Sequence, residues 1–487
     1  MSTVMHDSAI LQRFLATAHR CPDKPAVIGT DRVITYAELE RKAASVARRI
    51  GERASGNIVA LLHGNSPDVA AYVLGAIWAG KTIAMLPTLA PAPLLKLMTM
   101  ETGVDLVITS EEFAPNLLAV GMQCWIGDAS AEFEPSQVPQ VPVALETAVL
   151  LYTSGTTGRP KAVALSEANI MACMDGCVMA TGFDDKQMML AVLPLFHAYG
   201  LTVTTLLPLT VGASVIVPER FVPRQILQLI DKYRVTCLIA VPAQFRVLIK
   251  EPTLIDPSSL WLCIAGGERL PEHVAEDFQK RFNYRLVQGY GTTELAPVVS
   301  FSPPSDNAPG SVGRPLPNIE LTIRGENDEL LPAGEIGEVC VAGPTVMLGY
   351  YGDAAATAQK IRNGVMHTSD KGYLDKDGFL FLVGRADDLV KVSGEKVYPS
   401  EVENTLETVD GVEEAAVIAL PDEKHGARLH AFVQLREGST LTDAALRARC
   451  REMMEHYKIP RSFSFVPQIP RTMSGKTDKR ALAGSMA

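Results

Sequence analysis

The sequence predicts an α/β protein: a large N-terminal domain of parallel and mixed sheets with helices, carrying a β-subdomain, followed by a small α+β C-terminal domain. Three observations predict it. Apolar runs of strand length alternate with amphipathic helical stretches. The 487-residue chain is long enough for more than one core, and the pattern restarts after residues 384–403. TAVLLYT (147–153) reads as a buried strand, and Ser166 then caps a helix through NIMACMDG with Glu167 in its first turn. RVTCLIAVP (234–242), LWLCIAG (260–266) and YRLVQGY (284–290) read as further buried strands, each running into a loop of Gly, Thr, Pro or Gln. Ligands of open parallel sheets sit outside the carboxyl ends of the strands, so a site is expected on these loops. EIGEVCVAG (335–343) alternates as an antiparallel strand does and marks the β-subdomain. EEAAVIALP (413–421) and HAFVQLR (430–436) are strands of the C-terminal domain, beyond a junction near Asp387.

Composition narrows the class of function. Hydrophobic residues make up 47% and charged residues 21%, with a net charge of -10 and no long Lys/Arg run. A broad nucleic-acid or anionic-membrane surface is therefore disfavoured, and small-molecule chemistry is expected. The start, MSTVMHDSAILQRFLATAH, lacks the features of a secretory signal, and no window has the apolar length of a membrane span, so a cytoplasmic protein is expected. The 8 cysteines form no CxxC pair and have no histidine at zinc spacing. Cys173 and Cys177, in a helical pattern, read as reduced core thiols rather than metal ligands.

LYTSGTTGRPKAV (151–163) has the residues that attract polyphosphate without the spacing of a Walker loop, because Gly155 and Gly158 are too close and Arg159 and Pro160 precede Lys161. Anion binding is still favoured. The glycines let backbone N–H groups approach closely, the hydroxyls of Thr153, Ser154, Thr156 and Thr157 can donate, and Lys161 supplies charge.

Further motifs stand before and after this loop: TYAEL (35–39), LPLFHAYG (193–200), IAGGERL (264–270), YGTTE (290–294) and GEIGEVCVAGPTVMLGYY (334–351), then HTSD (367–370), GRADDLVKVSGEKVYPSEVE (384–403), YKIPRSF (457–463) and PRTMSGK (470–476). In this order, over nearly the whole chain, the set resembles the adenylate-forming (AMP-binding) superfamily, and residues 290–318 look closest to its acyl-CoA synthetase and fatty acyl ligase branch. Ala162, Glu167 and Ser369 depart from the common pattern, where Gly, His and Gly are usual.

The resemblance implies an ATP-dependent acid–thiol ligase. A carboxylic acid would be activated as acyl-AMP with release of pyrophosphate, then passed to the thiol of coenzyme A or of the phosphopantetheine of an acyl carrier protein. ATP, Mg²⁺ and coenzyme A are the implied cofactors. By the same resemblance residues 1–386 form the ATP- and acid-binding domain, and residues 387–487 a mobile domain that rotates about a hinge at Asp387. The loop holding Thr153, Ser154, Gly155, Thr156, Thr157, Gly158 and Lys161 would grip the β- and γ-phosphates. Thr293 would meet the α-phosphate, Glu294 the Mg²⁺, and Lys476 would bridge carboxylate and α-phosphate oxygens. Asp370 would accept both ribose hydroxyls, with Arg385 a second ribose contact. Tyr290, followed by Gly291, would stack on adenine, with Gly267, Glu268 and Gln288 forming the rest of that wall. His197 resembles a gate beside the carboxylate, and His197, Gly200, Val241, Pro242, Ala265 and Gly266 would wall an apolar acyl pocket. Lys391, Ser393 and Gly394 would line the way in for the thiol arm.

Amino-acid-activating relatives carry an Asp in the helix after the 193–200 motif, and FHAYGLTVTTLLPLTVG has no carboxylate, so a fatty or other apolar acid is expected. A monomer or homodimer is expected. A serine hydrolase or amidase using Ser154 or Ser393 lacks a GxSxG elbow. A non-catalytic binding module does not account for the retained Glu294 and Lys476. A luciferase-like oxygenase is a rarer member of the same superfamily.

Overall fold

A computed structural model describes residues 8–130, 133–138, 146–153, 160–303, 305–422, 426–471 and 477–486. Two seven-stranded sheets organise its larger part. The first has the strand order Val287–Gln288, Leu262–Ala265, Cys237–Ala240, Met188–Ala191, Ser214–Ile216, Pro25–Ile28 and Val33–Thr35, parallel except for the last pair. The second runs Gly349–Tyr350, Lys161–Leu165, Val149–Thr153, Thr82–Met85, Ile58–Leu62, Leu106–Thr109 and Cys124–Ile126, with antiparallel pairs at the first edge.

Both faces of each sheet are covered, and the side-chain alternation shows how. Cys237 and Ile239 join the central core while Leu238 and Ala240 join an outer one with Phe245, Phe278 and Ile226. In the second sheet Val149 and Leu151 face the same central core, and Leu150 faces a third cluster with Leu95 and Met98. The buried helix Val69–Trp78 and the helix Tyr36–Arg53 contribute to the central core, which makes a five-layer helix–sheet–helix–sheet–helix stack.

Local chemistry sets the boundaries. Thr35 caps Tyr36–Arg53 by accepting the Glu38 N–H at 3.2 Å. Ser166 caps Glu167–Thr181 as expected and forms a capping box with Asn169. Cys173 and Cys177 on that helix are buried free thiols. Two expected strands are shorter than their apolar runs. Residues 234–242 give only Cys237–Ala240, because Arg234 takes a left-handed φ of 52 and Pro242 starts a helix. Residues 284–290 contribute Val287–Gln288 to the parallel sheet, and Tyr290 leaves it for a small antiparallel sheet through an irregular register.

The β-subdomain pairs Gly337–Ala342 with Glu320–Arg324 and Val365–Leu374, all antiparallel, as the alternation of 335–343 predicted. After a 3-10 turn at Ala386–Asp388 the chain builds a separate core. Val397, Val402, Leu406, Val417, Val433 and Leu446 close it, beneath the strands Val412–Asp422, Gly426–Leu435 and Ser462–Phe465. Among the described residues no helix is long and apolar enough to cross a membrane.

Candidate active site

The carboxyl ends of the parallel strands, the β-subdomain and the C-terminal part enclose one cleft of about 830 Å³. Thr153 and Lys161 face each other across the last rung of their antiparallel pair and line it together. Ser154, Gly155, Thr156, Thr157 and Gly158, which join them, lie outside the described residues, as does Lys476.

Glu294 lies in the 3-10 turn Thr293–Leu295, half-buried, and its carboxylate accepts the Tyr350 hydroxyl at 2.9 Å. Lys161 Nζ stands 4.8 Å from the centre of the same phenol ring. Tyr350 thus bridges a cation and an acid from separate segments, a role that local sequence gave no reason to assign. Its only trace was the aromatic pair that ends the 334–351 motif. Burial, with Glu294 beside it, pushes the phenol well up, so it stays a donor. Gly291 permits the turn into Thr293 and Glu294, since a Cβ there would overlap the Pro297 carbonyl.

Asp370 is opposite Arg385 in the register of the subdomain sheet, with Arg385 Nε 3.6 Å from Oδ1. Tyr290 donates its hydroxyl to Asp370 Oδ2 at 2.5 Å, so the residue expected to stack on adenine also orients the residue expected to hold ribose. Burial and that carboxylate push the Tyr290 phenol well up. Ser369 takes a left-handed φ of 64, which accounts for the usual glycine. Here the Ser369 N–H donates to Glu338 at 2.9 Å and Lys360 donates to its hydroxyl at 2.6 Å. Glu338 also takes His367 Nδ1 at 3.2 Å, with Cys340 Sγ 3.5 Å from that nitrogen. This buried cysteine–histidine contact joins neighbouring strands and was invisible in linear spacing.

Gly267, Glu268 and Gln288 line the cleft, Gly267 with a φ of +84. Gln288 accepts the Leu270 N–H at 3.1 Å. Glu268 is committed elsewhere: Arg471 Nη1 is 3.2 Å from its carboxylate and the Thr477 N–H 2.6 Å. None of His197, Gly200, Val241, Pro242, Ala265 or Gly266 lines the 830 Å³ cleft. The Tyr199 ring packs where a Gly266 side chain would stand, and its hydroxyl is 3.5 Å from where a Gly289 Cβ would be. Lys391, Ser393 and Gly394 are exposed on the hairpin Val390–Val392 and Glu395–Val397, off the cleft, with Ser393 and Gly394 at φ 56 and 92 in its turn. Asp387 lies in the turn Ala386–Asp388.

The profile of the AMP-binding enzymes matches residues 14–351, and that of the AMP-binding enzyme C-terminal domain matches residues 401–476. The chain belongs to the AMP-binding enzymes. As a member it is an enzyme of the adenylate-forming acid–thiol ligase class. The feruloyl-CoA synthase of Amycolatopsis sp is 34% identical over 469 residues, 94% of this chain and 95% of that protein. The fatty acid--[acyl-carrier-protein] ligase ScoC of Streptomyces coeruleorubidus is 32% identical over 491 residues, 95% and 93% of the two chains. ATP-bound MatB from Rhodopseudomonas palustris has the same fold, with a TM-score of 0.90 and 27% identity over 99% of both chains.

Across the roof of the cleft of this AMP-binding enzyme, Glu407 meets Arg269 at 3.4 Å, and burial pushes its carboxyl from 4.5 up to about 7 against the pull of that guanidinium. A folded-state value above the unfolded one means that the contribution to stability is present at low pH and is lost as pH rises through about 7. Glu407→Gln keeps the neutral form at all pH values. Its stability relative to wild type is expected to improve by about 2 kcal/mol between roughly pH 5 and pH 8, measured by denaturant melts at each pH.

Proposed function

We propose that the protein activates an apolar carboxylic acid, fatty or aryl, as its acyl-adenylate and transfers the acyl group to the thiol of coenzyme A. One observation carries this reading: Lys161, Tyr290, Glu294 and Asp370, from four separate segments, line a single cleft. Residues 1–386 would bind ATP and acid, and residues 387–487 would move about Asp387 between the two steps.

In the first step an acid oxygen attacks the α-phosphorus, the bond from that phosphorus to the bridging oxygen breaks, and pyrophosphate leaves with the electron pair. Two anions approach each other, so cations and fixed donors must stabilise the charge at phosphorus. Lys161 and the hydroxyl of Thr153, which line the cleft together, would hold the departing pyrophosphate, Thr293 would meet the α-phosphate, and Lys476 would bridge the reacting oxygens. Tyr290 and Asp370 orient adenosine. Magnesium fits Glu294, a hard oxygen donor facing the cleft with its second contact to a neutral phenol, and when bound would neutralise phosphate charge. In the second step the thiol sulfur attacks the acyl carbon, loses its proton and displaces AMP.

The same thiol arm is presented by a carrier protein, so the acceptor is the finer part of the proposal. It is tested by ATP-dependent pyrophosphate release over fatty, aryl and amino acids, with coenzyme A present or absent. Release confined to apolar acids, with thioester formed on coenzyme A, supports the proposal. Release confined to amino acids, or none with any acid, overturns it. Release without any thioester on coenzyme A turns the acceptor to a carrier protein.

Tyr199 is expected to limit the length of the acid. Tyr199→Ala should raise kcat/KM for a long-chain acid over a short one by about tenfold, because the space opened beneath Gly266 is apolar. Parallel assays on a chain-length series would check it.

A further inference from the structure

A line of alternating charges crosses the cleft between the two parts of the chain. Arg246, on the helix Pro242–Lys250, pairs with Glu414 on the strand Val412–Asp422. Glu414 is 4% exposed, and both its oxygens also take Arg471 Nη2, at 2.6 Å. The other terminal nitrogen of Arg471 reaches Glu268 at 3.2 Å. The Thr477 N–H then closes on the second Glu268 oxygen at 2.6 Å. Glu268 therefore receives the residues on both sides of positions 472–476. Charges this buried are costly unless each is paired, so removing one member loosens the whole line. The hairpin bearing Lys391, Ser393 and Gly394 stands off the cleft in this arrangement, and a thiol step that used it would need another one.

We propose that Arg471, clamped between Glu268 and Glu414, is a positioning residue that sets Lys476 for the adenylation step and is dispensable for the thiol step. This rests on the ligase reading above. Arg471 serves by its planar fork, which spans two carboxylates where a lysine reaches one.

The test separates the two half-reactions in the full-length enzyme. Single-turnover pyrophosphate release from acid and ATP is expected to fall about a hundredfold in Arg471→Met. Thioester formation from supplied acyl-adenylate and coenzyme A should change by less than about threefold, since no positioning is lost there. Glu414→Gln should behave like Arg471→Met, the double variant should be no worse than either, and Arg471→Lys should recover part of the loss. Arg234→Ala, which removes an exposed pair with Asp256, is the control. Amide exchange of the peptide containing Thr477 should quicken in Arg471→Met, which follows the clamp without reference to activity. Equal losses in both half-reactions overturn the proposal in favour of a merely structural role, and so does an active wild type matched by Arg471→Met. A wild type that releases no pyrophosphate with any acid overturns the ligase reading and the role with it. That result differs from failure of the clamp, in which the wild type is active and the Thr477 amide exchanges equally in both proteins.

Discussion

Lys476→Ala is expected to lower pyrophosphate release by about a thousandfold, because the step sets two anions against each other and loses a cation at the point of contact. The variant should still bind ATP, through Asp370 and the 153–161 loop, with a Kd close to that of wild type. It should also still make thioester from supplied acyl-adenylate, since that step carries no triphosphate. Stopped-flow pyrophosphate detection and calorimetry of ATP binding check the two halves. Although residue 476 lies outside the described residues, its chain neighbour Thr477 is held on Glu268 at the cleft wall.

Asp370→Asn is expected to act on binding instead. One amide oxygen can still accept the Tyr290 hydroxyl, so the fold of the strand Val365–Leu374 should survive with a Tm near wild type. What is lost is the charged, two-oxygen acceptor for a cis-diol. The amide nitrogen can only donate, and an unmatched hydroxyl is left in a half-dry site. KM for ATP should rise about thirtyfold to a hundredfold, while kcat at saturating ATP changes far less. Steady-state kinetics in ATP resolve the split. An equal fall in kcat would move Asp370 from holding nucleotide to the reacting centre.

These two residues also mark what sequence could and could not reach. Asp370 and Arg385 were named only through the motifs of the resemblance, and their pairing across the sheet register was not foreseen. The parallel strands were legible from the residues themselves, as short apolar runs that pass into loops of Gly, Thr, Pro or Gln. Tyr350 and Tyr199 were not assigned, because each acts on partners more than fifty residues away: Tyr350 on Glu294 and Lys161, Tyr199 on Gly266 and Gly289. A lone aromatic in an apolar run looks the same whether it fills a core or shapes a pocket. The Arg471–Glu268–Glu414 line was hidden for a related reason. Surface-like charges became buried only once two parts of the chain met, and no local pattern announces that meeting.

Tyr350 has one more consequence. Its hydroxyl is given to Glu294 while the face of its ring is turned to Lys161. The acid and the base that would serve opposite ends of a bound triphosphate therefore share one side chain. A cation that takes Glu294 as a ligand competes with the phenol for that carboxylate, and an anion that draws Lys161 away strips the ring of its cation. Each event alters the free energy of the other through the same ring. By reciprocity, metal affinity and polyphosphate affinity must rise or fall together by one coupling factor, and Tyr350→Phe would reset that factor while leaving the cation over the ring in place.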